Sequence, residues 1–191
     1  VESYNLALNE QGFHLTDKEI VDNCFGKKET DICLKLGISE KTEQFSNTYF
    51  EAVKNHYTKG KLFQGVVECL EGAKKKGIKL GIISYAYNWY VQGMISGLNI
   101  EKYFDIVIGQ DDVKKAKPDP EAIFLACNRL NIDPQESLVV GDSRSDIVMG
   151  NTGGCLTCLF HPAGHGLFYS LESLKESKPT YIAESFDELK E

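Results

Sequence analysis

The chain has 191 residues, 42% of them hydrophobic and 26% charged, with a net charge of -7; these globular proportions argue against disorder and allow a sizeable core. The negative balance disfavours nucleic acid and anionic membrane surfaces as general partners, and no stretch approaches the roughly 20 apolar residues of a membrane span. Six cysteines without a regular framework point to reduced thiols and a cytoplasmic setting.

Residues 1 to about 60 show helical periodicity and no convincing strand. Val1, Tyr4 and Leu8 share a face, Thr16-Asp17-Lys18-Glu19 is a capping-box pattern ahead of Ile20 and Cys24, and Gly26 breaks the run. Lys27 and Lys28 follow as solvated lysines at a helix junction. Ile32, Leu34 and Leu36 precede Gly37, and Ser39 is placed to cap a longer helix carrying Phe45, Tyr49, Val53 and Tyr57. Together these segments predict a small helical bundle.

From Gly65 helices alternate with apolar strands. Val66 to Lys76 reads as a helix ended by Gly77, Lys79 to Ser84 as a strand, Trp89 to Leu98 as a helix and Phe104 to Gly109 as a second strand. Pro118 and Pro120 open a helix whose buried stripe is Ile123, Ala126, Cys127 and Leu130. The Leu138 strand, a helix after Ser143, a strand over Cys155 to Phe160, a short helix, a strand around Tyr181-Ile182 and a last helix near Ser185 to Leu189 follow. This alternation predicts an α/β fold with a mostly parallel sheet covered by helices.

The run Leu138-Val139-Val140 reads as a strand buried on both faces that stops at Gly141-Asp142. Asp142 therefore stands at a carboxyl strand end, where open α/β sheets bind ligands, and Asp146 lies one helical turn on. Two close carboxylates suit Mg²⁺, which takes one or two of them together with phosphate oxygens; the competing reading is an N-cap aspartate followed by a solvated one. Ser84 ends its strand with a hydroxyl and backbone N–H groups suited to phosphate oxygens. Lys117, in Lys114-Lys115-Ala116-Lys117-Pro118-Asp119-Pro120, precedes a proline-started helix and can place an ammonium against a transferring phosphoryl group. Tyr85, Tyr87 and Trp89 make this region aromatic, and His161 and His165 flank the loop Pro162-Ala163-Gly164-His165-Gly166. Cys155-Leu156-Thr157-Cys158 lies in an apolar strand-like run and reads as packing.

The order of strand-Ser84, Lys117-Pro118-Asp119-Pro120 before a helix, and Gly141-Asp142-Ser143-Arg144-Ser145-Asp146 after a strand resembles the second, third and fourth motifs of the haloacid-dehalogenase-like (HAD) superfamily. Phe63-Gln64-Gly65-Val66, Lys76-Gly77-Ile78, Tyr103-Phe104-Asp105 and Asp133-Pro134 extend the resemblance over residues 1 to 160, in the manner of its phosphoglycolate-phosphatase and β-phosphoglucomutase-like branch. The resemblance implies a Rossmann-like core at 61–191 lacking its first strand, and a helical cap, a C1-type four-helix bundle, at 1–60. It implies a Mg²⁺-dependent phosphomonoester hydrolase acting on a small phosphorylated metabolite, as a monomer or homodimer. Asp142 and Asp146 would serve the metal, Ser84 and Lys117 the phosphoryl group, and Tyr85 and Asn88 the substrate, Asn88 by analogy with mutase-like members. The family's first motif, an Asp-x-Asp carrying the nucleophile, does not occur in this sequence and is expected upstream of Val1. The alternatives are a sugar-phosphate mutase using the same residues and, if the chain truly starts at Val1, an inactive binding module. A dehalogenase needs no metal, and the Asp142/Asp146 pair argues against it.

Overall fold

In the computed structural model, which describes residues 1–55, 60–165 and 170–190, the chain divides into two compact units, Val1–Gly60 and Lys61–Glu191. Among its described residues the first is built from helices: α1 (Glu2–Glu10), α2 (Asp17–Cys24), α3 (Glu29–Leu36) and α4 (Thr42–Lys54). The capping box forms as the sequence predicts. Thr16 Oγ accepts from the Glu19 N–H at 3.3 Å, and the Glu19 carboxylate accepts from the Thr16 N–H at 2.8 Å, so two otherwise orphaned donors are satisfied. Helix α3 stops at Gly37, whose φ of +71° is a left-handed conformation that favours glycine. The apolar stripes meet in a core of Ala7, Leu8, Ile20, Cys24, Ile32, Cys33 and Phe45, none more than 1% exposed.

Leu34, two positions from buried Ile32, is 70% exposed, because two residues carry a helical side chain about 200° around the axis. One local expectation changes. Ser39 opens a 3-10 turn, Ser39–Lys41, and helix α4 starts only after it; Ser39 contributes its carbonyl oxygen, which accepts from the Thr42 hydroxyl at 2.8 Å. Tyr57 lies outside the described residues.

The second unit alternates: α5 (Val66–Lys75), β1 (Gly81–Ile83), α6 (Asn88–Gly97), β2 (Ile106–Ile108), α7 (Glu121–Leu130), β3 (Leu138–Gly141), α8 (Arg144–Gly153), β4 (Leu156–Phe160), α9 (Leu171–Lys175) and β5 (Tyr181–Ala183). All pairings are parallel, with Gly81 opposite Ile106, Leu138 opposite Leu156 and Cys158 opposite Tyr181. The fold is α/β, as the alternation predicts. Its strands nevertheless form two sheets, β1-β2 and β3-β4-β5, since no strand among the described residues joins β1 to β3. Helix α7 packs on β1, on β2 and against α8, and so joins the two sheets. The last segment is a 3-10 turn, Glu188–Lys190, where a final helix was expected.

The strand buried on both faces is β4, not β3. Leu138 and Val140 are 49% and 45% exposed, whereas Thr157, Cys158, Leu159 and Phe160 are all buried. The middle position of β4 explains this. One of its faces meets Ile147 and Leu174 and the other packs with Ala183, Phe186 and Leu189, while β3 buries chiefly Val139, against α8 and the Ile108–Ile123 cluster.

Candidate active site

The carboxyl ends of β1 and β3 are bridged by side chains. Ser84 continues the β1 ladder, its N–H donating to Ile108 O at 2.9 Å, and its hydroxyl oxygen accepts from the Ala86 N–H at 3.0 Å. The next residue, Tyr85, donates its hydroxyl to the backbone carbonyl of Lys117. The Lys117 ammonium lies 4.8 Å from the centre of the Tyr85 ring and 2.6 Å from Asp146 Oδ1. The ion pair is nearly enclosed, its side chains 11% and 10% exposed.

Asp146 is fixed from the other side. Its second oxygen accepts from the Ser143 N–H at 3.1 Å and from the Ser143 hydroxyl at 2.6 Å, and Ser143 Oγ lies 2.8 Å from Ser145 Oγ. The glycine before Asp142 is required by this packing, because a Cβ on Gly141 would stand 2.3 Å from Asp146 Cβ. Burial pushes the Tyr85 phenol above its ordinary range; a hydrogen bond with Ser145 opposes the shift and the Asp146 charge adds to it. The phenol therefore stays a donor.

Asp142 stands apart from this pair. Its side chain is 58% exposed at the end of β3, where His165 Nε2 approaches its carbonyl oxygen at 3.2 Å and its carboxylate at 3.6 Å. The His161 ring lies edge-on to that of His165, 5.2 Å between centres. Asn88 is engaged differently. Its side-chain nitrogen donates to Val107 O at 3.1 Å and to Asp112 Oδ2 at 2.6 Å, while its backbone N–H donates to Asp111 Oδ1 at 2.7 Å. These bonds tie the start of α6 to the loop after β2. Cys155 and Cys158 are free and buried; burial pushes the Cys155 thiol up to about 11, in keeping with the packing role read from the sequence.

Of the residues singled out from sequence, the structure thus gathers Tyr85, Lys117 and Asp146, sets Ser84 beside Tyr85 and Asp142 at the neighbouring strand end, and commits both amide protons of Asn88 to the fold. Ser143 and Ser145 were missed as members of the cluster. The signal for Ser143 was present, since Ser143-Arg144-Ser145-Asp146 is itself a capping-box pattern. For Ser145 no local pattern existed, because its neighbour Tyr85 lies sixty positions earlier in the chain.

Asp142 offers an exposed carboxylate of the kind Mg²⁺ takes, whereas both oxygens of Asp146 already have partners, and no group of three or more His, Cys, Asp or Glu able to hold a metal stands among the described residues. This fits an ion held by Asp142 with phosphate and water oxygens, and Asp146 acting outside the coordination shell. Among the described residues no helix is long and apolar enough to cross a membrane.

The chain is 36% identical over 131 residues to the phosphoglycolate phosphatases of Escherichia coli K12 and Salmonella paratyphi A, covering 67% of this chain and 49% of each relative. It therefore spans about half the length of the curated relatives it matches. Among solved structures, a Bacteroides fragilis protein assigned to the haloacid dehalogenase-like hydrolases superposes with a TM-score of 0.84 at 26% identity, over 98% of this chain and 90% of that one. A Thermotoga maritima protein assigned as a β-phosphoglucomutase gives 0.72, also at 26%, over 96% and 85%. The family model for haloacid dehalogenase-like hydrolases matches residues 1–160, a span that holds the whole Tyr85–Lys117–Asp146 bridge, and the chain belongs to that family.

Proposed function

We propose that the protein is a Mg²⁺-dependent phosphomonoester hydrolase acting on a small phosphorylated metabolite, of the phosphoglycolate-phosphatase kind. The observation that carries this reading is the Lys117 ammonium, pinned 2.6 Å from Asp146 where β1 and β3 end. A fixed cation at that edge stabilises charge on a transferring phosphoryl group without reorganising during the reaction. The 36% identity to phosphoglycolate phosphatases supports the same reading and favours hydrolysis over phosphoryl return to a sugar.

In this reading Lys117 pairs with phosphate oxygens, the Ser84 hydroxyl donates to one of them, and Asp146 keeps Lys117 in place. Asp142 would hold the magnesium ion, which when bound neutralises phosphoryl oxygens. In the family's chemistry an aspartate of the Asp-x-Asp motif, which does not occur in this sequence, attacks phosphorus and expels the alcohol, and water then hydrolyses the aspartyl-phosphate to free the aspartate and inorganic phosphate. The helical unit at 1–60 serves as the cap, and substrate choice rests largely on its residues.

The test is phosphate release from 2-phosphoglycolate and from p-nitrophenyl phosphate by the full-length gene product. Hydrolysis that EDTA abolishes and Mg²⁺ restores, and that Lys117→Ala lowers by about 10²-fold or more with the fold intact, is expected. Turnover only in the presence of a sugar bisphosphate would replace the hydrolase with a mutase. Normal turnover by Lys117→Ala would remove the site.

A further inference from the structure

We infer that Tyr85 is a positioning residue for Lys117, an assignment that rests on the reading of Lys117 as the group that meets phosphate. The sequence marks Tyr85 as a substrate contact, yet its polar and aromatic groups are both turned to Lys117. The hydroxyl donates to the Lys117 carbonyl, and the ring face lies 4.8 Å below the Lys117 ammonium. One side chain therefore holds the lysine at both ends of its flexible stem.

That grip matters because a lysine is a compact charge on a four-carbon stem with many rotamers, and Lys117 sits in a loop where Lys114 and Lys115 are exposed. The ion pair with Asp146 uses one donor of the ammonium and leaves its direction loosely set. The ring supplies a second wall: the face of an aromatic attracts a cation, and the attraction grows where water is excluded, as around a side chain 11% exposed. The hydroxyl supplies the third restraint, fixing the backbone from which the stem departs. Ser145, hydrogen-bonded to the same phenol and 2.8 Å from Ser143 Oγ, links this grip to the anchor of Asp146.

The experiment is pulsed acetylation of the full-length protein, with the labelling rates of Lys117 and Lys114 read separately by peptide mass spectrometry and the melting temperature recorded for each variant. Lys114 is the internal control, because general loosening accelerates both lysines. Tyr85→Phe, which keeps the ring, is expected to raise the Lys117 to Lys114 rate ratio about threefold, and Tyr85→Leu about tenfold or more. An unchanged ratio in folded Tyr85→Phe and Tyr85→Leu overturns the inference, as does a rise shared equally by Lys114. Should Tyr85→Leu fail to fold, the Tyr85→Phe ratio decides alone. A parallel pulse with inorganic phosphate separates this inference from the reading beneath it: phosphate is expected to slow Lys117 labelling in the wild type. Absence of that protection overturns the role of Lys117 toward phosphate, while the ratio still reports on Tyr85.

Discussion

The helical unit and the α/β unit leave different apolar residues uncovered. In the first, Leu8, Ile20, Cys33 and Phe45 are sealed on the stripe that faces the other helices, and Leu34, off that stripe, is 70% exposed; in the second, Ile108, Ile147 and Leu159 are sealed, while Leu138 and Val140 on β3 are nearly half exposed and Ile82 and Ile83 on β1 only partly covered. The cause is the way each element satisfies its backbone. A helix closes its hydrogen bonds within itself and needs cover along one stripe only, which three neighbours supply. A strand needs partners at both edges and cover on both faces, and β4, with β3 on one side and β5 on the other, is the strand that has them. Among the described residues β1 and β3 each pair on one side only, and the Tyr85–Lys117–Asp146 bridge spans their carboxyl ends.

The largest effect is expected at that bridge. Asp146→Ala would leave the Lys117 ammonium nine-tenths enclosed without its carboxylate, and removing one partner of such a pair costs about 3–5 kcal/mol. Urea unfolding should show this loss. Amide exchange in α1 to α4 should stay at wild-type rates, because the damage belongs to the α/β unit. The double variant Asp146→Ala/Lys117→Ala should cost less than the sum of the single changes, since it removes both charges whereas each single change strands one. Additive costs would mean that the pair is open to water.

The contrast in burial is tested next by two truncations. Phe45→Ala opens a cavity in a sealed core and should cost about 3–5 kcal/mol. Val140→Ala removes methyl groups that are nearly half solvated and should cost about 1 kcal/mol or less. Equal losses would show that the β3 face is covered in solution, and the comparison would fail. Of similar size is the N-terminal cap of α2: Thr16→Ala should cost about 1 kcal/mol or somewhat less, with faster amide exchange at Glu19 as its local mark.

How much of this was legible in the sequence depends on the range of the interaction. Capping at Thr16, the stop at Gly37 and the β-α alternation are written in a few adjacent residues, and each was read correctly. The motif order also singled out Lys117 and Asp146, whose side chains pair although they are 29 positions apart, because the spacing along the chain is itself the signal. What sequence could not supply was which face of which strand finds cover. Leu138 and Leu156, opposite one another in the register, are both nearly half exposed, but Val140 is 45% exposed while Cys158 opposite it is buried, and only the position of β4 between two neighbours separates them. Asn88 shows the same limit from the polar side. Its position after Ser84 suggested a ligand contact, while its side-chain donors go to Val107 and Asp112, nineteen and twenty-four positions away.

The smallest effect is expected where β1 and β2 begin. Asp105 accepts from the Leu80 N–H at 2.8 Å and from the Lys74 ammonium at 2.9 Å, while its own N–H donates to Leu80 O at 2.7 Å, so a side chain extends the ladder just before β1. The Leu80 hydrogen bond, with the Lys74 ammonium next, holds the Asp105 carboxyl below its ordinary value of 3.8. A depressed carboxyl binds its proton less readily folded than unfolded. Its contribution is therefore complete above the unfolded value, near pH 4, and is lost as pH falls through the lower folded one. With Lys74 about a third exposed, solvent screens the ion pair, and the whole contribution should stay near or below about 1 kcal/mol. Asp105→Asn should therefore flatten the acid limb of a stability-versus-pH curve below about pH 4 and leave the slope at neutral pH as it was. Lys74→Met should do the same more weakly, because the backbone hydrogen bond to Leu80 remains; an equal effect from Lys74→Met would make the ammonium, rather than the extended ladder, the source of the shift.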